Sequence, residues 1–220
     1  MPLPLALSRD VLSRASKEGP RTLLRQLPRA VRAALRPREE RLIVLMKDLD
    51  RIAEQPVETK VRLEPLERRH LPALYDLNRR RCETRADRRF ARDLDRGYHG
   101  YVGFVDDDVV GYYWWVDVSA SPRHPDLDRY GLGIELDGED VYGSDFYILA
   151  EHRGGGNAGA FLHELETDLR RRGYRRLWGY VASTNRPARW IYSLRGYEPM
   201  WTVLRKTAPL RRQRTERVFD

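Results

Sequence analysis

The 220-residue chain is long enough for one sizeable domain with an extension or for two small ones, and its 41% hydrophobic and 10% aromatic content supplies a real core, which excludes global disorder. No run of about 18 apolar residues occurs, so no membrane-spanning helix is expected, and the one cysteine, Cys82, excludes an internal disulfide and fits a reducing cytoplasm. The net charge of +8 sits at the ends: residues 1–41 carry ten Lys/Arg against four Asp/Glu and residues 205–220 carry six against two, which leaves the centre slightly acidic and points any acidic partner to the termini.

The opening "MPLPLALSRDVLSR" has neither a basic n-region nor a long apolar core, so no signal peptide is expected. In "RTLLRQLPRAVRAALRPREE", Leu23, Leu24, Leu27, Val31, Ala34 and Leu35 recur at helical spacing. Arg21, Arg25, Arg29, Arg32 and Arg36 take the remaining faces, which predicts a basic amphipathic helix kinked or split at Pro28. Such a helix either contacts anionic lipid or an acidic protein, or packs on its own domain with solvated arginines. "RLIVLMKDL" is a short strand-like run, followed by a polar linker around Arg51–Glu58. The expected organisation is an extension and linker over 1–57, a domain over 58–206 and a basic tail over 207–220.

From Thr59 the elements alternate. "TKVRLEPL" reads as a strand, "ERRHLPALYDLNRRR" as a helix with Leu71, Leu74 and Leu77 on one side, and "ADRRFARDLDRG" as a second helix closed by Gly97. "YHGYVGFV-DDD-VVGYYWWVDV" predicts a β-hairpin with an acidic turn. Alternation along it puts two of Tyr112, Tyr113, Trp114 and Trp115 inward and two outward, where the outward pair either packs or lines an acceptor pocket. "SASPRHPDLDRYG" is a loop, "LGIEL" and "VYGSDFYIL" are strands around a turn at Asp137–Asp140, and a helix runs from Asn157 to Arg172, stopped by Gly173. "RRLWGYV" is a strand, "RPARWIYSLR" a helix opened by Asn185 and closed by Gly196, and "YEPMWTVLRK" a last strand. The expected class is α+β, a mixed α/β arrangement with a central sheet flanked by helices and an amphipathic helical extension in front.

The stretch "EHRGGGNAGAFLHEL" sets three glycines between a strand and a helix. Alone, a glycine triplet is either a loop or a place where backbone N–H groups at a helix start approach an anion, with Arg153 as an added cation. No Gly-Lys-Ser/Thr and no Gly-x-Gly-x-x-Gly with an acidic residue at the end of the next strand is present, so the P-loop and dinucleotide motifs are excluded. The five histidines and Cys82 lack metal-ligand spacing, so no metal is expected.

Arg153-Gly154-Gly155-Gly156-Asn157-Ala158 has the form Arg-x-x-Gly-x-Ala and resembles the pyrophosphate loop of the GNAT superfamily of N-acetyltransferases. Further on, Asn185, Ala188, Tyr192 and Gly196-Tyr197 are similar to that superfamily's second motif, Asn-x-x-Ala-x-x-x-Tyr-x-x-x-Gly-aromatic. The resemblance covers about Thr59 to Lys206; Ala150 departs from it where such loops often carry Pro. It implies a GNAT-like mixed sheet and acetyl-CoA as donor. It also implies that the N–H groups of Gly154, Gly155, Gly156, Asn157 and Ala158 hold the pyrophosphate, that the backbone of Ile148 and Ala150 pairs with the pantetheine arm, and that Asn185 touches it from the other side. Direct attack by an amine on a thioester needs a neutral nucleophile, a donor for the oxyanion and a proton for the leaving thiolate. A backbone N–H at Ile148 or Leu149 suits the second task and Tyr192 the third. Asp145 is the candidate base, with Glu135 and Glu139 or a water as substitutes.

The expected activity is therefore acetyl transfer to a primary amine of a small molecule, such as an amino sugar or metabolite. A longer acyl-CoA or an acyl-carrier protein as donor stays open, because Gly143 and Ser144 are small at the acyl end. A non-catalytic acyl-CoA-binding module also stays open, although Tyr192 and Asn185 count against it. The terminal arginines lack the aromatic interleaving of an RNA-binding motif, so nucleic acid is not the expected partner. A peripheral membrane or acidic-protein contact through residues 1–41, and a homodimer, stay open on a cytoplasmic protein.

Overall fold

The computed structural model describes residues 38–52, 60–80, 86–119, 130–208 and 211–218. The amphipathic helix expected within residues 21–36 and the loop at 120–129 lie outside them. The described elements are β1 (Arg38–Asp48), β2 (Val61–Pro65), α1 (Leu71–Arg80), α2 (Ala86–Asp95), β3 (His99–Val105), β4 (Asp108–Val116), β5 (Asp140–Ile148), α3 (Asn157–Arg171), β6 (Arg176–Ala182), α4 (Arg186–Leu194), β7 (Glu198–Ala208) and β8 (Arg211–Val218). The chain divides into two units: one of residues 1–39 and 205–214, described only at strand ends, and one of residues 40–204 and 215–220, in which every side-chain contact below lies.

The strands form a sheet in the order β2-β3-β4-β5-β6-β1-β7-β8. β2 to β5 pair as an antiparallel meander, β5 and β6 pair in parallel, and β6 and β1 pair antiparallel. The parallel step is made by α3, since parallel strands need a crossover. The mixed helix-flanked sheet is the architecture expected from the sequence.

Both sheet faces are covered. On one, Phe90, Leu74 and Leu77 from the first two helices pack with Tyr112, Trp114 and Tyr142. On the other, Phe161, Leu162, Leu165 and Leu169 of α3 pack with Tyr113, Trp115 and Val141. All four aromatics of "YYWW" are consequently core residues, each at most 3% exposed. The sequence-based alternation places them on opposite faces as observed, but no face is left outward because helices cover both.

β1 comes from residues that the sequence groups with an extension, yet it lies inside the sheet. Its register runs from Leu42 opposite Ala182 to Asp48 opposite Arg176. Leu42 and Val44 point into one core and Leu45 into the other, which explains the continuous apolar run of a strand buried on both sides. The residues grouped with a basic tail likewise contain β8. There the Arg217 guanidinium lies 4.4 Å from the Trp201 ring centroid and donates to Gly133 O at 2.9 Å. "LGIEL" is buried at Leu132 and Ile134 but is not a strand. Gly131 and Gly133 have φ of 60° and 67°, which breaks strand geometry. Two of its carbonyls are bonded by side chains, Leu132 O by Trp201 Nε1 at 2.8 Å and Gly133 O by Arg217. Among the described residues no helix is long and apolar enough to cross a membrane.

His99 stacks on Trp115 with centroids 4.4 Å apart and planes at 25°. Burial pushes its pKa down, with Arg172 adding to the effect and Asp117 opposing it. A folded-state pKa below the unfolded value means that stability is fully present above the unfolded pKa of about 6.5 and is lost as pH falls through the folded value. Thermal unfolding is expected to show Tm falling from pH 7 to pH 5, with a shallower fall in His99→Gln; an unchanged slope would remove His99 as a source of the acid sensitivity.

Candidate functional site

β5 and β6 begin as a parallel pair, with Asp140 opposite Arg176, Val141 opposite Leu177 and Tyr142 opposite Trp178. There the pairing stops, while β5 continues to Ile148 and β6 to Ala182. A bulge in the β4–β5 ladder between Trp114 and Trp115 leaves Ser144 opposite no partner residue, and bulges bend a strand and increase its twist. The strands part into a cleft of about 300 Å³. Its walls include Gly143, Asp145 and Phe146 of β5, Gly179 and Tyr180 of β6, and Asn185, Ala188 and Tyr192 at α4. Tyr113 and Tyr197 also line it, as do Glu40 and Leu45 from β1.

The backbone inside the cleft is directional. Leu149 N–H donates to Val110 O at 2.8 Å. With Gly111 opposite Ile148, antiparallel geometry then turns the N–H and C=O of Ile148 to the other edge, towards β6. That carbonyl accepts from Arg153 Nε at 2.9 Å. Of the two backbone donors expected from the sequence, Leu149 N–H is therefore committed to the sheet and Ile148 N–H faces the parted strands.

At the end of β5 a 3-10 turn, Ala150–His152, leads into the glycines. Gly155 and Gly156 have φ of 64° and 80°, conformations that glycine adopts without a Cβ penalty. Asn157 Nδ2 ties the turn to His152 O at 3.0 Å. The helical ladder of α3 opens with Ala160 N–H to Gly156 O at 2.9 Å, and Asn157 N–H is already bonded to Gly154 O at 3.3 Å, so the other amides of this start carry the orphan donors and positive dipole end of a helix. A Cβ built on Gly154 or Gly155 meets nothing within 4 Å. The loop is open on its outer side, as a cradle for a bulky anion must be. Arg153 is less available than the sequence suggests, because its Nε is bonded to Ile148 O and its guanidinium lies 5.6 Å from the Tyr147 ring.

Asn185 caps α4: its Oδ1 accepts from Ala188 N–H at 3.3 Å. Two turns on from the cap, Tyr192 enters the cleft and packs on Tyr197, with centroids 4.8 Å apart and planes at 58°. Tyr192 keeps some open surface on the cleft side but is surrounded closely enough that burial, followed by the charges of Asp145 and Glu166, pushes its pKa well above the usual phenol range. It is therefore protonated at neutral pH. Asp145 lies on the other side of the cleft. It forms an ion pair with Arg89 of α2 and accepts from Tyr112 OH at 3.2 Å. Burial works against the Arg89 charge, but Asp145 outweighs it and holds the guanidinium pKa above its ordinary value. The structure thus brings Tyr192, Asp145 and Asn185 to one cleft, with Ile148 and the glycine loop beyond its lining, at the end of β5. It does not bring Glu135 or Glu139 there; Glu139 faces Arg175 at 3.7 Å, at the other end of β5.

Sequence reasoning overlooked the cleft floor. Glu166 of α3 is fully buried and accepts from Arg195 Nη2 at 2.5 Å. Lys47 of β1 is 5% exposed nearby. Burial pushes Glu166 up against the opposing pull of Arg195 and Lys47, and pushes Lys47 down with Glu166 as the main offset. The available signal was a glutamate inside the apolar series Phe161, Leu162, Leu165 and Leu169, and a lysine inside an apolar strand.

The sequence profile of the Acetyltransferase (GNAT) family matches residues 63–197, more than half of the chain. No curated protein matches in sequence. Among solved structures, a glucosamine N-acetyltransferase region of a fungal multi-domain GH3 β-N-acetylglucosaminidase superposes with a TM-score of 0.58 at 17% identity, over 92% of this chain and 23% of that one. A functionally unknown conserved protein from Staphylococcus epidermidis gives 0.55 at 10% identity, over 92% and 68%. A tandem GNAT protein from the clavulanic acid biosynthesis pathway gives 0.50 at 18% identity, over 84% and 58%. The chain thus spans well under two thirds of two of these three, and at such identities the likeness is one of fold.

Gly143 lets β5 pass over Tyr113, because a Cβ there would stand 1.9 Å from the Tyr113 hydroxyl oxygen. Tyr113 is buried, so its ring has little room to give way. Gly143→Ala is expected to cost about 1–3 kcal/mol by overpacking, read as a drop in the denaturant midpoint, whereas unchanged stability would mean that the two strands part freely at this point.

Proposed function

The chain belongs to the GNAT acetyltransferase family, and from that premise we propose that it moves an acetyl group from acetyl-CoA to a primary amine of a small molecule. The observation that carries the proposal is the parting of β5 from β6 with Tyr192 inside the cleft and the glycine start of α3 at the end of β5. A diphosphate suits the glycine loop, because the orphan amides of α3 and open space beyond Gly154 and Gly155 meet there. An extended amide-bearing arm suits the free edge of β5, where the N–H of Ile148 offers strand-like pairing. Asn185 borders the same path.

The reacting thioester then lies where β5 and β6 diverge. An amine lone pair attacks its carbonyl carbon, a cleft-facing N–H of β5 stabilises the oxygen that becomes negative, and the C–S bond breaks as Tyr192 donates its proton to sulfur. The high proton affinity of the Tyr192 phenolate is no obstacle in itself. The same burial and the same carboxylates raise that of a thiolate formed beside it, so the difference between the two groups governs the transfer. Asp145, held by Arg89 and Tyr112, is assigned to orient the incoming ammonium and accept its proton. The close fit of Tyr113 over Gly143 supports a short acyl group over a long one. An amino sugar or another small metabolite amine is the proposed acceptor class. The basic segment 1–41 is proposed to meet anionic lipid or an acidic protein, on the strength of its charge and helical spacing.

Calorimetry with acetyl-CoA, CoA and palmitoyl-CoA is expected to show tight binding of the first two and weaker binding of the third. Gly154→Glu puts a carboxylate into open space at a residue without a left-handed φ. It is expected to leave Tm unchanged and to weaken CoA binding by at least about tenfold, or 1.4 kcal/mol; unchanged affinity would defeat the diphosphate assignment. Tyr192→Phe is expected to lower kcat by about 10²-fold with donor affinity retained, as measured by thiol release from acetyl-CoA over a panel of amines that includes glucosamine, spermidine and amino acids. Full activity would remove Tyr192 from the mechanism.

A further inference from the structure

Beneath the Tyr192 wall of the cleft lies a charged floor that the acetyl-transfer chemistry does not use directly. Glu166 is fully buried on the sheet-facing side of α3, among Phe161, Leu162, Leu165 and Leu169. Arg195, from the turn after α4, donates to its Oε2 at 2.5 Å. Lys47, from β1, reaches the same place. Its ammonium contacts Arg51 O at 3.4 Å, and a Cβ on Gly196 would stand 3.3 Å from Nζ. Tyr197 follows Gly196 directly, and its phenol lies within electrostatic reach of Glu166. Neither Tyr197 OH nor Glu166 Oε1 closes a hydrogen bond of good geometry. Tyr197 packs on Tyr192 and shares the cleft wall with it.

Stability does not account for this arrangement. Three charges out of water carry a desolvation penalty that an apolar floor of the same volume avoids. Buried polar atoms without closed bonds are rare enough that each asks for a reason. Every other sheet-facing residue of α3 named above is apolar, so the helix does not need Glu166 in order to pack. What the floor faces is the tyrosine pair: the Glu166 carboxylate lies within electrostatic reach of the Tyr197 phenol, and the Tyr197 ring packs on that of Tyr192.

We propose that Glu166, clamped by Arg195 and flanked by Lys47 of β1, is a positioning residue for Tyr192, acting through Tyr197. Strand β1, which precedes the family match at residues 63–197, is thereby part of the catalytic apparatus. The proposal rests on the assignment of Tyr192 as the proton donor.

The test is a double-mutant cycle on the full chain. Thiol release from acetyl-CoA is followed with the best amine of the panel above, or with water as acceptor if no amine reacts. Lys47→Met and Glu166→Gln are each expected to lower kcat by about tenfold, leaving KM for acetyl-CoA within about twofold, and Lys47→Arg to retain most of the activity. In the Tyr192→Phe background the same substitutions are expected to change kcat by less than about twofold, because the group they position is gone. Equal losses in both backgrounds, or no loss in the first, would overturn the proposal. If Glu166→Gln does not fold, Lys47→Met carries the cycle. Failure of the underlying assignment is read separately, as wild-type activity of Tyr192→Phe alone.

Discussion

The site depends on one departure from regular structure, the end of pairing between β5 and β6 after Tyr142 and Trp178. A parallel pair that continued to Ile148 would have no cleft, and its backbone groups would be consumed by the ladder. The bulge at Ser144 and the rigid approach of Tyr113 to Gly143 hold the divergence from the β4 side. β1 holds β6 from the other side through a seven-residue register, so that β6 remains paired although β5 has left it. Such a divergence can persist only where neighbouring elements over-determine it.

The consequences propagate from that opening. Antiparallel pairing with β4 fixes which amides of β5 are available, and this gives Ile148 and Leu149 opposite fates although they are adjacent. The helices close the rest: α4 brings Tyr192 in from its first two turns, while α2 brings Arg89 to Asp145 across the opposite face. Tyr192, the proposed proton donor, and the Asp145 carboxylate therefore come from opposite sides of the sheet and meet only where the sheet is open.

Electrostatically the cleft is poised on tyrosines, with no histidine among its described lining residues. Burial and nearby carboxylates raise the phenols of Tyr113, Tyr192 and Tyr197 together. A group so raised keeps its proton at neutral pH and gives it up only to a base that the same surroundings make stronger. In the proposed reaction, the thiolate released inside the cleft is such a base.

Much of this was legible in the residues alone. Alternating periodicities located most elements, because helices and strands with one dominant buried face carry their period in the sequence. The glycines before α3 and the Asn185-to-Tyr197 series marked the proposed cradle and the proposed donor, because both requirements are local: backbone freedom at a helix start, and spacing along one helix and its cap. What only the tertiary structure decided is non-local. The membership of β1 in the sheet could not be read from a short apolar run, which is the same in a buried strand and a buried helix segment. At "LGIEL" the positive φ of Gly131 and Gly133 breaks the expected strand, and the side chains that take its carbonyls, Trp201 and Arg217, are distant in sequence. The engagement of Leu149 N–H, the Arg89–Asp145 pair, and the meeting of Lys47, Glu166 and Arg195 join residues far apart in the chain. A charge's partner is a matter of packing, whereas the residue that bears the charge is a matter of sequence.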